Sequence, residues 1–129
     1  MSETVLVVDD YADIRKTCRA ALERHGYTVV EAKNGQEALE RLKESLPTIV
    51  LLDIMMPDMS GLEVLEVIRA NPKTSKLPVI LLTAKSTDKD VLTGYQHDAD
   101  YYVTKPYTPN ELRYAVNLVL GRIEAAKDS

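Results

Sequence analysis

The chain has 129 residues, 45% hydrophobic and 28% charged, and a formal net charge of -4. That size suits one domain with a core of its own. The 16 Lys and Arg residues are scattered rather than striped, which argues against direct nucleic-acid binding, and no apolar stretch approaches a membrane span or a signal peptide.

The elements alternate along the chain. "TVLVV" (Thr4–Val8) predicts a buried strand, and "ADIRKTCRAALERH" a helix with Ile14, Cys18, Ala21 and Leu22 on one face. Gly26 closes that helix, with His25 placed in its last turn near the negative end of the dipole. "YTVVEA" is the second strand. "NGQEALERLKESL" is the second helix, with Asn34 as N-cap and Glu37 three residues on. "TIVLL" (Thr48–Leu52) is a strand apolar on both faces. "SGLEVLEVIRA" opens with Ser60 and Glu63 at capping-box spacing, and "VILLT" (Val79–Thr83) is the fourth strand. "TDKDVLTGYQ" predicts a weaker fourth helix, "DYYVT" the fifth strand, and "TPNELRYAVNLVLGRI" a fifth helix capped by Thr108 with Pro109 in its first turn. The tail "EAAKDS" is polar, so residues 1–121 are expected to form the domain and 122–129 a tail or the start of a linker.

Five strands alternating with five helices imply an α/β fold, a doubly wound parallel sheet with helices on both faces. Continuous apolar runs mark strands one, three and four as central. The simplest layout is the order 2-1-3-4-5 (flavodoxin-like), with ligands expected outside the carboxyl ends of the strands, near the switch point between strands one and three. At those ends stand Asp9 and Asp10 after strand one, Asp53 after strand three, Thr83 closing strand four and Lys105 after strand five. Nothing about forming a sheet requires polar groups at four strand ends. Three carboxylates together repel, and a hard cation such as Mg2+ relieves that repulsion while leaving coordination sites for a phosphate. Lys105 can meet a second anion, and Thr83 offers a rotatable hydroxyl. This set suits phosphoryl transfer, with a carboxylate as nucleophile.

The motifs "VVDD" (Val7–Asp10), "LLDIMMPDMSG" (Leu51–Gly61), "LLTA" (Leu81–Ala84) and "YVTKPY" (Tyr102–Tyr107) occur in order, each at a strand end. In this the chain resembles the receiver domain of two-component response regulators, similar to the single-domain chemotaxis-type regulators, over about residues 4 to 121. The resemblance implies a phosphoacceptor rather than an enzyme with an external substrate. Asp53 would take a phosphoryl group from a sensor histidine kinase or a histidine phosphotransfer protein. Asp10, Asp53 and the backbone carbonyl of Met55 would bind Mg2+, with Asp9 helping directly or through water. Lys105 would pair with Asp53 and then with the phosphoryl group. Thr83 would turn toward the phosphoryl oxygens, and Tyr102 would be the aromatic switch that follows it. Pro57 and Gly61 would shape the loop after the acceptor, and Lys105-Pro106 would be cis. A partner surface, or a homodimer contact, would lie around the predicted fourth helix, fifth strand and fifth helix, where Tyr95, Tyr101, Tyr107 and Tyr114 fall. The location would be cytoplasmic, in keeping with a single cysteine, Cys18.

Each residue has a plainer reading. Asp9, Asp10 or Asp13 can cap the first helix. Asp58 is a turn residue. Tyr102 is a strand aromatic packed on the fifth helix, and Cys18 is core. His97 lies in a loop, far in sequence from His25, so the phosphodonor histidine belongs to a partner.

The chain departs from the family pattern in three places. Met55 and Lys85 occupy variable positions beside the acceptor, and apolar Met55 cannot orient an attacking water, which implies slow autodephosphorylation. Asp98 stands where the family usually has Gly, so a positive φ is expected there. Tyr107 replaces the usual Phe. Two other functions fit less well. An aspartyl phosphohydrolase usually carries a second acid where Met55 stands, and a flavin protein needs a phosphate loop where "DDYAD" is acidic. No DNA-binding or enzymatic module follows Gly121, so the domain is expected either to act alone or to be the receiver of a longer protein.

Overall fold

The computed structural model describes residues 3–83 and 99–121. The predicted fourth helix, Lys85, Tyr95, His97, Asp98 and the tail 122–129 lie outside the described residues. In chain order the elements are β1 (Thr4–Val8), α1 (Ala12–Glu23), β2 (Thr28–Ala32), α2 (Gly35–Glu44), β3 (Ile49–Asp53), α3 (Gly61–Ala70), β4 (Val79–Thr83), β5 (Tyr101–Thr104) and α4 (Pro109–Val119), the fifth helix of the predicted series.

All strand pairs are parallel, in the order β2-β1-β3-β4-β5. Every residue of β3 and β4 is buried, whereas β2 and β5 keep exposed or half-buried positions. The apolar runs therefore sit where both faces are covered, and the more polar strands take the edges. One face packs Leu6, Val8, Val50, Leu52 and Leu81 against Ala38 and Leu42 of α2 and Leu62, Leu65 and Ile68 of α3. The other packs Val5, Val7, Leu51, Ile80 and Leu82 against Cys18 and Leu22 of α1 and Leu112, Ala115 and Val116 of α4.

The caps follow local chemistry. Ser60 with Glu63, and Thr108 with Glu111, form reciprocal capping boxes, and Pro109 opens α4. Asn34 accepts from the Glu37 N–H, while the Glu37 carboxylate turns back to the N–H of Lys33. Gly26, at φ 94°, ends α1 as expected.

Three plain readings are corrected. The N-cap of α1 is Tyr11, with no side-chain cap bond, and Asp13 lies inside the first turn. Neither Asp10 nor Asp13 caps this helix, and Asp9 instead accepts the N–H of Tyr11 at 3.0 Å. His25 lies just past α1 rather than in its last turn, and its ring meets the guanidinium of Arg113 on α4. Tyr102 packs on the α2–α3 side of the sheet; its neighbour Tyr101 takes the α1–α4 side, as strand alternation requires.

Candidate functional site

The parallel sheet delivers the ends of β1, β3, β4 and β5 to one edge, and each end is fixed by a backbone bond. Asp9 N–H donates to Ala32 at 3.2 Å, Ile54 N–H to Leu82 at 3.2 Å, and Lys105 N–H to Thr83 at 2.7 Å. Asp53 is the last residue of β3 and Asp9 directly follows β1. Behind Asp53, Gly61 comes so close that a β-carbon there would lie 2.2 Å from the Asp53 carbonyl oxygen. No side chain fits there, and this is the physical reason for the glycine that closes the loop.

Asp9 is fully buried, Asp53 is 3% exposed and Thr83 is 4% exposed. Carboxylate oxygens of Asp9, Asp10 and Asp53 all lie within 4.8 Å of one another. Lys105 bridges two of them, at 3.1 Å from Asp9 Oδ2 and 3.0 Å from Asp53 Oδ1. The pairing with Asp53 is the expected one, and the pairing with Asp9 was not legible in the sequence. The Lys105-Pro106 peptide is cis.

The electrostatics are unbalanced. Burial first, then the charges of Asp9 and Asp10, push the Asp53 carboxyl up to about 6 against the pull of Lys105. Burial opposes the charge of Lys105, but Asp53 and Asp9 outweigh it and raise its pKa. Asp10 Oδ1 is buried with no hydrogen-bond partner among the described residues. A buried carboxylate oxygen without a donor is costly in a metal-free protein. Three oxygen ligands with one left open fit a hard divalent cation such as Mg2+. The group would be held by Asp10 and Asp53, with Asp9 already engaged by Lys105 and the Tyr11 N–H.

Other residues fall around this centre. Met55 is 58% exposed on the loop after β3. Tyr102 is half-buried, and Cys18 is fully buried with Sγ 3.3 Å from the hydroxyl of Tyr107. Burial pushes the Cys18 thiol up to about 11, which makes it a core group rather than a nucleophile. The hydroxyl that distinguishes Tyr107 is thus spent on Cys18.

Two residues, Asp58 and Arg15, make contacts that the sequence does not reveal. Asp58 is a turn residue as expected, but it also accepts the N–H groups of Gly35 and Gln36, each at 3.2 Å. This ties the loop after Asp53 to the N-terminus of α2, and those backbone bonds outweigh desolvation and lower the Asp58 pKa. Arg15 of α1 donates to the backbone carbonyl of Asp9 at 2.7 Å. Neither sequence position carries a signal for this, because both bonds cross between elements.

Comparison with known proteins agrees with this geometry. Residues 5–117 match the response regulator receiver domain. The chain is 44% identical over 124 residues to a probable transcriptional regulator, ycf27, of Guillardia theta, covering 96% of this chain and 48% of that protein. A putative response regulator from Chloroflexus aurantiacus superposes with a TM-score of 0.87 at 32% identity, covering 95% of this chain and all of that one (100%). The response regulator TrrA of Thermotoga maritima, solved in complex with Mg(2+)-BeF, gives 0.80 at 38% identity, covering 91% and 98% of the two chains. The chain spans about half the length of the curated relatives it matches.

Proposed function

The chain belongs to the response regulator receiver domain family, and from that premise we propose that Asp53 accepts the phosphoryl group in two-component signalling. The donor is the phosphohistidine of a sensor kinase or a phosphotransfer protein. The observation that carries the assignment is the bridging of Asp9 and Asp53 by Lys105 while Asp10 Oδ1 stays buried, with no hydrogen-bond partner among the described residues.

In the transfer an Asp53 oxygen attacks phosphorus, the N–P bond breaks, and its electron pair returns to the donor imidazole. Mg2+ supplies charge neutralisation for the carboxylates and the phosphoryl oxygens when it is bound. Asp53 must be ionised to attack, and a cation beside it would oppose the burial and the neighbouring carboxylates that raise its pKa. Lys105, already on Asp53 Oδ1, follows the charge onto the phosphoryl oxygens. Thr83, buried at the end of β4, turns its hydroxyl toward the same oxygens, and Tyr102 follows Thr83. The switch alters the surface of β5 and α4, where Tyr101, Tyr102, Arg113 and Tyr114 line an open groove. That surface meets the output partner or a second copy.

Intact-mass measurement with Mg2+ and acetyl phosphate tests the assignment. One phosphoryl adduct is expected on the wild type and none on Asp53→Asn. An unmodified wild type, with donor and metal both present, would overturn it. Exposed Met55 has no group to orient water, so the adduct is expected to be long-lived. Met55→Asn should shorten its half-life several-fold in a time course, and an unchanged half-life would remove Met55 from the account.

A further inference from the structure

We infer that Arg15 is a positioning residue of the acidic site, fixing through the Asp9 carbonyl the backbone from which Asp10 reaches a cation. The inference rests on the phosphoacceptor reading only in taking Asp9, Asp10 and Asp53 as a Mg2+ site.

Asp10 lies between two anchored peptide groups. On its N-terminal side the Asp9 carbonyl follows the end of β1 and accepts Arg15 Nη1 at 2.7 Å. On its C-terminal side the Tyr11 N–H donates to Asp9 Oδ1 at 3.0 Å. The peptides on both sides of Asp10 are therefore held, while its own buried Oδ1 has no partner among the described residues. The backbone spends its bonds on placing a carboxylate that is left open.

Arg15 is itself held from a second element. It is the fourth residue of α1, and helical side chains lean toward the helix N-terminus, which brings its guanidinium to the end of β1. Its Nε donates to Glu31 Oε1 on β2 at 3.0 Å, and the other Glu31 oxygen accepts Arg19 Nε at 2.7 Å. The Arg15 side chain is 16% exposed. Glu31 pairs with Val7 in the β1–β2 register, two residues before Asp9. The planar fork of an arginine is needed here, because one side chain must face Glu31 and the Asp9 carbonyl together.

Positioning and simple charge make opposite predictions. Arg15 is a cation near three carboxylates, so by Coulomb attraction alone its removal should tighten Mg2+ binding. If it positions Asp10, its removal should loosen binding, by about 10-fold on the scale of other outer-shell partners of metal ligands. The metal-free protein is titrated with Mg2+, following the amide signals of Asp10 and Tyr11 by NMR and the heat of binding by calorimetry. Arg15→Met is expected to weaken binding about 10-fold. Arg15→Lys, which keeps the charge but not the fork, should recover part of the loss. Glu31→Gln should weaken binding less, in the same direction, and Lys43→Ala, which removes an exposed charge on α2, should leave it unchanged. Equal or tighter binding by Arg15→Met overturns the inference. Should that variant fail to fold, wild-type affinity in both Arg15→Lys and Glu31→Gln overturns it instead. A wild type that binds no Mg2+ overturns both this inference and the phosphoacceptor reading. Wild-type binding with an indifferent Arg15 overturns the inference alone.

Discussion

At the amino ends of β4 and β5, among the described residues, one carboxylate meets one guanidinium. Asp100 Oδ2 takes the Val79 N–H at 2.8 Å and Arg69 Nη2 at 3.1 Å, and Arg69 Nη1 serves the carbonyls of Ser75 and Leu77. At the carboxyl ends of the strands, three carboxylates gather near Lys105, which pairs with two of them, and a buried oxygen of the third has no partner among the described residues. Both ends use the same kinds of bond. They differ in stoichiometry, and the difference separates a site built to hold the fold from one built to receive something. Evenly matched polar groups rigidify a structure, whereas an excess of like charge is tolerable only where a cation is due to arrive.

Lys105→Met breaks the comparison at its extreme, because it removes the cation that Asp9 and Asp53 share. The metal-free protein should be destabilised at pH 7 by somewhat less than the ~3–5 kcal/mol of a fully buried pair that loses one partner, because Lys105 is partly exposed. Saturating Mg2+ should restore part of the loss. Urea unfolding with EDTA and with Mg2+ measures both, and equal loss in the two conditions would mean that metal and lysine do not neutralise the same charges.

Asp53→Asn acts in the opposite direction. The folded-state pKa of Asp53 is raised from 3.8 to about 6, so between those values the folded protein binds more protons than the unfolded chain. Stability from this group is present at low pH and is lost as pH rises through that window. Ionised Asp53 is therefore a net liability at pH 7 without metal. Asp53→Asn should stabilise the EDTA-treated protein by about 1–3 kcal/mol at pH 7. The gain should shrink toward pH 5, where the wild-type carboxyl is largely protonated. Unfolding midpoints at the two pH values check the sign, and a gain independent of pH would refute the charge argument.

Much of this was legible in the sequence because the informative residues lie within their own elements. The apolar runs of β1, β3 and β4 mark the central strands, and the simplest order that keeps them central brings Asp9, Asp10, Asp53, Thr83 and Lys105 together. Ser60 with Glu63 and Thr108 with Glu111 are local pairs, and they appear as capping boxes. Bonds between elements were not legible. Lys105 to Asp9, Arg15 to the Asp9 carbonyl and Asp58 to the start of α2 depend on where whole elements come to rest. The face of Tyr102 was misread for a related reason. Alternation says that Tyr101 and Tyr102 point to opposite faces, but it does not say which helices cover each.

Asp100→Ala sharpens the comparison from the matched end. It removes the acceptor of the Val79 N–H and one partner of Arg69, and a hydrogen-bonded surface acid of this kind contributes about 1–2 kcal/mol. Stability should fall by that amount equally with EDTA and with Mg2+, and Mg2+ affinity should not change. A shift in Mg2+ affinity would show that the two ends of the sheet are coupled, and the division between them would have to be redrawn.

Tyr107→Phe should have the smallest effect. Its hydroxyl lies near the crowded carboxyl end, yet its partner is the thiol of Cys18, a neutral and weak hydrogen-bonding group. Burial raises the pKa of both the phenol and the thiol, so neither carries charge at pH 7. The pair should therefore behave like the core around it and not like the carboxylates beside it. The substitution should change stability by less than about 1 kcal/mol, with no dependence on Mg2+ and no dependence on pH between 5 and 7. A larger loss confined to the metal-free protein would mean that Tyr107 supports Lys105, through the short segment joining them, rather than only filling space against α1.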